Sequence, residues 1–468
     1  MNAGEWVCVH AADVVSGYNI MKLVCTCAHI FQQIGKALME IHRDRYLRRL
    51  ISKKDNGLVK VITGLRRCGK TYLLRNLYQS WLIEEGVRKE NIIYLALDAN
   101  INASLRNPCN LDRYLRERIS ETEGRCYVMI DEIQYCVSVP NEALPESVRS
   151  AENDITFYDT VLGLMDECDL YITGSNSHML STDILTNFRG RGDEVRVYPL
   201  SYSEFLSAWP GNPRNALREY LYHGGMPLVL AYPDEQEKAA YLRNLFAKTY
   251  ESDLVGRHHL RSSEDFGAVL DFLASSMGSF INPTKIAARF QAEHIAEMSR
   301  NTVADYIGYL EDAFLIQEAK RFDIRGKEYI SGQQKYYFAD LGLRNARLNF
   351  RQFDRSRLLE NAVYNELVMR GCSVDVGRIQ MRTRDVAGNQ KVKSLEADFI
   401  VHDFDQQMYI QVAEGLDDPG KKEQEMASLL HIRDSFPKYL LIDQDIPAHY
   451  TEQGIRIMSV EDFLLGKR

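Results

Sequence analysis

The chain has 468 residues, 45% hydrophobic and 26% charged, which is the balance of a soluble globular protein with room for several domains. A formal net charge of -8 excludes a uniformly basic coat for nucleic acid, though a local basic face stays compatible, because only the local field acts on phosphate. Nine cysteines, an odd number spread over a long chain, fit a reducing cytoplasm better than a disulfide framework, so a cytoplasmic location is expected.

Residues 1–38 read as an N-terminal extension. Their apolar run at 20–27 is followed by His29, Gln32, Gln33 and Lys36, so it falls short of the roughly 18–20 apolar residues a membrane span needs. No membrane contact is expected. Cys25 and Cys27 stand without a second pair at zinc spacing. From Met39 the pattern changes: Ile41, Tyr46, Leu47 and Leu50 fall on one side of a helix predicted over 39–54. Strands follow at 58–63, 92–97, 126–130, 169–173 and 194–197, with helices at 70–85 and 111–122 between them. That alternation predicts a parallel α/β sheet. Residues 137–154, with Pro140, Asn141 and Pro145, read as an irregular insertion. Residues 202–274 are helical, broken at Gly224-Gly225-Met226-Pro227.

The run Gly64-Leu65-Arg66-Arg67-Cys68-Gly69-Lys70-Thr71 matches the phosphate-loop pattern G-x-x-x-x-G-K-[ST], with a strand before it and a helix after it. Glycines let the backbone wrap phosphate oxygens, and the next helix presents its positive end. Gly64, Arg67, Gly69, Lys70 and Thr71 are therefore the expected nucleotide contacts, with Lys70 reaching the β- and γ-phosphates of ATP and Thr71 offering a hydroxyl to Mg2+. The apolar strand at 126–130 leads into Asp131-Glu132; Asp131 would complete the magnesium shell and Glu132 would polarise the attacking water. Thr173-Gly174-Ser175-Asn176 ends the next strand, where Asn176 or Ser175 could contact the γ-phosphate or simply build a turn. In Phe188-Arg189-Gly190-Arg191, Arg191 is preferred over Arg189 as an arginine delivered to a neighbouring subunit, which would make self-association part of the activity; a surface ion pair is the alternative.

Together GLRRCGKT, Ile130-Asp131-Glu132-Ile133-Gln134, Thr173 to Ser177, and Gly190-Arg191 ahead of Pro199-Leu200-Ser201 resemble a large prokaryotic family of AAA-type ATPases that carry a C-terminal domain of unknown function. Tyr222-His223-Gly224-Gly225-Met226-Pro227 fits the helical part of that family, and the resemblance spans roughly residues 39–445. Residues 1–38 and the insertion after Gln134 have no counterpart in it. The resemblance implies a restriction-endonuclease-like C-terminal fold. The expected architecture is thus an α/β, AAA-type P-loop parallel sheet at 39–200, a helical lid at 201–280, a winged-helix module at 281–345 and a nuclease-like α/β domain at 346–468.

In the winged-helix module a helix at 284–291 precedes one capped by Ser299, whose Val303, Tyr306, Ile307, Leu310 and Phe314 share a face. Arg300, Asn301, Thr302 and Asp305 would be exposed, and strands around Leu315 and at 336–338 would form the wing. Such a module can read DNA or merely pack on the ATPase core. In the C-terminal domain, a nuclease of this type needs a helix glutamate, a strand carboxylate and a D/E-x-K on the next strand. Glu360 and Asp398 fit the first two; Gln411 and Ala413 replace the carboxylate and the lysine, so cleavage chemistry is expected to be lost. Three functions remain open: an ATP-hydrolysing switch, a nucleotide-gated DNA- or protein-binding scaffold with little turnover, and a metal-dependent nuclease.

Overall fold

The computed structural model describes residues 41–174, 188, 190–247, 252–257, 260, 262–330, 332–384, 390–415 and 419–467. The expected extension at 1–38, including Cys25 and Cys27, lies outside them. Strands β1 (Val59–Thr63), β2 (Ile92–Ala96), β3 (Cys126–Asp131), β4 (Cys168–Thr173) and β5 (Gly192–Arg196) form one parallel sheet in the order β2-β3-β4-β1-β5. Every residue of β1, β3 and β4 is buried. That follows from helices covering both faces, which is why these strands read as continuous apolar runs. One face packs Val59, Val61, Val128, Ile130, Leu170 and Ile172 against Leu111 and Leu115 of helix Pro108–Ser120 and Val161 and Leu164 of helix Phe157–Leu164. On the other face the helix spanning 70–84, with a π-helical stretch at Leu73–Tyr78, places the Tyr78 hydroxyl 2.5 Å from that of Tyr171. Helix Pro108–Ser120 starts three residues before its first apolar position because Asn107 Oδ1 accepts from Cys109 N at 2.9 Å and Pro108 occupies the first turn.

Beyond the sheet, helices Tyr202–Ala208, Pro213–His223, Glu235–Leu245, Ser252–Arg257 and Ser263–Ser275 form the helical region, with the break at 224–227 as read from the sequence. Helices Pro283–Ala292 and Arg300–Asp312 follow, the second capped by Ser299 Oγ on Thr302 N at 3.1 Å. Strands β6 (Ile316–Ala319) and β9 (Lys335–Phe338) pair antiparallel where the wing was expected. The segment between them departs from that plan: β7 (Arg321–Asp323) and β8 (Glu328–Tyr329) form a hairpin, and β7 lies parallel to β10 (Ser373–Arg384) at the edge of the C-terminal sheet. The sheet therefore crosses the boundary expected at 345/346.

After helix Arg355–Arg370, β10, β11 (Gln390–Asp403) and β12 (Gln406–Ala413) run as an antiparallel meander. Helix Pro419–Leu430 then leads to β13 (Lys438–Ile442), parallel to β12. β14 (His449–Tyr450), β15 (Ile455–Ser459) and helix Val460–Leu464 close the chain, and the sheet order is β14-β15-β13-β12-β11-β10-β7-β8. β10 and β11 pair from Ser373 with His402 to Arg384 with Gln390, because antiparallel pairing continues through residues without an apolar pattern.

Residues 43–468 make one compact unit. Helix Asp44–Ser52 bridges within it: Arg45 Nη2 donates to Glu366 Oε1 at 3.1 Å and Arg49 Nη2 to Met369 O at 3.3 Å, both on helix Arg355–Arg370.

Candidate nucleotide site

The phosphate loop leaves β1 at its C-terminal end. Gly64 has φ +131°, and a Cβ there would lie 2.0 Å from Val197 O, so no other residue fits. Gly69, at φ +103°, precedes the helix that begins at Lys70. Lys70 is buried; its Nζ donates to Gly64 O at 2.8 Å and Leu65 O at 3.1 Å, folding over the loop's own backbone. Thr71 Oγ1 donates to Asp131 Oδ2 at 2.7 Å, which joins the loop's hydroxyl to the carboxylate at the end of β3. The parallel sheet explains the meeting, since the C-terminal ends of β1 and β3, with β4 between them, open on the same side of the sheet.

Asp131 is buried and has two partners that sequence reasoning missed. Tyr94 Oη on β2 donates to Oδ2 at 2.7 Å, and Thr173 Oγ1 at the end of β4 donates to Oδ1. Burial and the adjacent Asp131 push the Tyr94 hydroxyl well above its ordinary pKa, so it stays a neutral donor. Glu132 sits at φ +59°, its N–H donating to Thr173 Oγ1 at 3.1 Å and its Oε2 accepting from Gln134 Nε2. A non-glycine residue in the left-handed region is strained and is held by its surroundings. Both carboxylates thus stand where the loop and three strand ends converge. Among the described residues no group of three or more His, Cys, Asp or Glu side chains is placed to hold a metal alone. A hydroxyl beside a carboxylate, as at Thr71 and Asp131, suits magnesium that shares its shell with phosphate oxygens.

Arg67 is exposed at φ +64°. Burial pushes the Tyr241 hydroxyl of helix Glu235–Leu245 up to about 12, opposed by the nearby Arg67 guanidinium, so the helical region reaches the loop. Pro227 reaches it too: its Cγ lies 3.8 Å from where a Gly69 Cβ would stand. Arg191 is exposed at the opposite end of the sheet, where its carbonyl accepts from Val59 N at 2.9 Å. Four residue steps of β1 separate Val59 from Thr63, about 13 Å at strand rise. Asn176, Ser175 and Arg189 lie outside the described residues.

A second cluster lies in the C-terminal region. Lys335 Nζ, buried on β9, is 2.8 Å from Glu360 Oε1 and 2.6 Å from Glu396 Oε1, and Tyr337 Oη donates to Glu360 Oε1 at 2.6 Å. Asp398 is buried beside them; burial and Glu360 hold its carboxyl well above the usual range, opposed by Lys335. Gln411 Oε1 accepts from Asp398 N at 3.3 Å and from Ser428 Oγ at 3.1 Å. Glu360, Asp398 and Gln411 therefore come together as expected. The ammonium in this cluster comes from β9, while the pattern's lysine position holds Ala413.

A family described as an AAA domain matches residues 56–206, and a family described as a domain of unknown function matches residues 214–354. An uncharacterized protein of Haemophilus influenzae is 33% identical over 434 residues, covering 91% of this chain and 98% of its own. The chain belongs to the same family as that Haemophilus protein, and its residues 56–206 match an AAA domain. An uncharacterized protein of Methanocaldococcus jannaschii is 27% identical over 451 residues, covering 92% of this chain and 89% of its own. Among solved structures, the Orc1 protein of Aeropyrum pernix in complex with DNA is 14% identical with a TM-score of 0.30, covering 66% of this chain and 93% of that one. Cdc6p of Pyrobaculum aerophilum is 13% identical with a TM-score of 0.28, covering 66% and 92%. Likeness at those scores assigns nothing to this chain. The AAA domain contains the phosphate loop, Asp131, Glu132 and Arg191; no described helix is long and apolar enough to cross a membrane.

Proposed function

We propose that this AAA protein binds ATP with magnesium, hydrolyses it, and uses the cycle to shift its helical, winged-helix and C-terminal modules. The observation that carries the reading is the hydrogen bond from Thr71 to Asp131 beside Glu132, within the loop that Lys70 closes. Lys70 and the loop amides would bind the phosphates. Thr71 and Asp131 would hold magnesium, which supplies charge neutralisation on the phosphate oxygens. Glu132 would take the proton of a water as its oxygen attacks the γ-phosphorus and the bond to the β–γ bridging oxygen breaks, leaving ADP and phosphate. Asn176 or Ser175 would contact the γ-phosphate. Motion would spread from the loop through Pro227 and Tyr241 to the helical region, and through helix Asp44–Ser52 to helix Arg355–Arg370.

Arg191 stands away from its own loop, which supports a role only in a neighbouring subunit. Hydrolysis per chain is then expected to rise with protein concentration, and a mixture of Arg191→Ala and Glu132→Gln chains should recover part of the activity that each lacks. A flat concentration dependence with no recovery would leave a monomeric enzyme. The same assay, run with and without duplex DNA at low and high salt, tests a second reading. Arg300, Asn301, Ala304 and Asp305 are exposed, and the space where a Gly308 Cβ would stand is open, so this helix presents a free face. DNA contact through it would stimulate or bind at low salt and fade steeply as salt rises.

The order helix, three antiparallel strands, helix, parallel strand supports a nuclease-like C-terminal fold without its chemistry. Glu360 is already paired with Lys335, and Gln411 and Ala413 stand where the pattern needs a carboxylate and a lysine. Supercoiled, linear and single-stranded DNA and RNA are expected to stay intact with magnesium or manganese. Cleavage that disappears in Asp398→Ala would make this domain an enzyme.

A further inference from the structure

We infer that Arg43 is a positioning residue for the phosphate loop: it fixes the Cys68–Gly69 peptide so that the Gly69 amide faces the bound phosphates. This rests on the nucleotide site proposed above.

Arg43 directly precedes helix Asp44–Ser52 and is only 3% exposed. Its Nη1 donates to Cys68 O at 3.2 Å, its Nη2 donates to Tyr198 O at 2.6 Å, its Nε faces Glu204 Oε1 at 3.3 Å, and its guanidinium lies 4.6 Å from the centre of the Tyr46 ring. Arginine offers donors in a rigid planar fork, so one side chain can hold two carbonyls of different segments at once. Here one carbonyl belongs to the phosphate loop and the other to the segment after β5. That segment is bound to the loop again, by Cys68 Sγ donating to Val197 O at 3.3 Å, and to helix Asp44–Ser52, by Tyr46 Oη accepting from Tyr198 N at 3.3 Å.

The consequence follows from peptide geometry. A trans peptide is planar, so its C=O and N–H point in opposite directions. With Cys68 O drawn onto Arg43, the N–H of Gly69 points away from the guanidinium. In a loop that binds phosphate through converging amides, that direction decides whether this amide is a ligand. Arg43 is assigned a positioning role and not a phosphate-binding one, since Nη1 and Nη2 each hold a backbone carbonyl and the guanidinium pairs with the Glu204 carboxylate. Lysine in its place carries its donors on a single nitrogen and cannot reproduce the planar fork that holds the two carbonyls from separate nitrogens.

The test uses the full chain, with ATP and ADP binding measured by calorimetry and unfolding temperatures measured without nucleotide. Arg43→Ala is expected to weaken ATP and ADP by a similar factor, roughly 10- to 100-fold, the scale of a lost hydrogen bond to a charged group. Arg43→Lys should fall between it and the wild type. Glu204→Gln, which leaves both carbonyl bonds in place, should bind nearly as the wild type does. A residue that merely stabilised the fold would lower the unfolding temperature and leave the affinity of the folded protein unchanged. Affinities of Arg43→Ala and Arg43→Lys within about twofold of wild type, smaller than the loss of one such bond, would overturn the inference while the nucleotide site stands. Should Arg43→Ala not fold, the Arg43→Lys comparison alone decides. A wild type that binds neither nucleotide overturns both.

Discussion

Lys70→Ala is expected to lose ATP binding almost completely, by roughly 100-fold or more, because it removes the ammonium that the loop holds for the phosphates. The side chain emerges from the first turn of the helix at 70–84 and lies buried across the loop, its Nζ 2.8 Å from Gly64 O and 3.1 Å from Leu65 O. An ammonium held by carbonyls at the mouth of a glycine loop needs only to swing onto phosphate oxygens. Those oxygens carry full charge, so the exchange favours the nucleotide. Alanine removes the bonds to Gly64 O and Leu65 O but leaves the loop's shape to the Gly64 backbone against Val197 and to Arg43 on Cys68 O, so the fold should survive. Calorimetric titration with ATP and magnesium checks this. Equal affinity in wild type and variant would remove Lys70, and with it the site, from the account.

How much of this was legible depended on how local each interaction is. The phosphate loop is written in eight consecutive residues because its geometry is a property of that backbone alone. Asp131-Glu132 was legible because an apolar strand ending in carboxylates places them at a sheet edge. Tyr94 and Thr173, which complete the shell of Asp131, were not: each lies about 40 residues from it, and a lone hydroxyl at a strand end carries no mark. Arg43 lies 25 positions before Cys68 and 155 before Tyr198. An arginine at the start of an amphipathic helix reads as a solvated cap, and only the fold reveals it as buried. Lys335 left a faint signal, a lysine opening the apolar run Tyr336-Tyr337-Phe338. A buried lysine needs a carboxylate, and here Glu360 and Glu396 answer it. The merger of the β7–β8 hairpin with the C-terminal sheet was out of reach, because strands of three and two residues are too short for periodicity to reveal.

Glu132→Gln is expected to keep ATP bound while hydrolysis falls by roughly 10²-fold or more, the scale of a positioned base. The substitution is close to isosteric, so what it preserves matters as much as what it removes. The left-handed backbone at φ +59° is unchanged, and the N–H still reaches Thr173 Oγ1. The amide oxygen of a glutamine can still accept from Gln134, as Glu132 Oε2 does. Thr71, Asp131 and Lys70 are untouched, and they are the groups proposed to hold magnesium and phosphate. Only the ability to take a proton from water is lost. Binding energy and turnover should therefore separate: an unchanged dissociation constant with a lower kcat marks an interaction made in the transition state alone. Asp131→Asn should behave differently. It weakens the acceptor shared by Thr71, Tyr94 and Thr173, so nucleotide affinity in magnesium should fall along with turnover. If Glu132→Gln hydrolyses ATP at the wild-type rate, the base lies elsewhere. If it loses ATP as well, Glu132 is a prop for the bent chain after β3, and the division of labour between the two carboxylates is wrong.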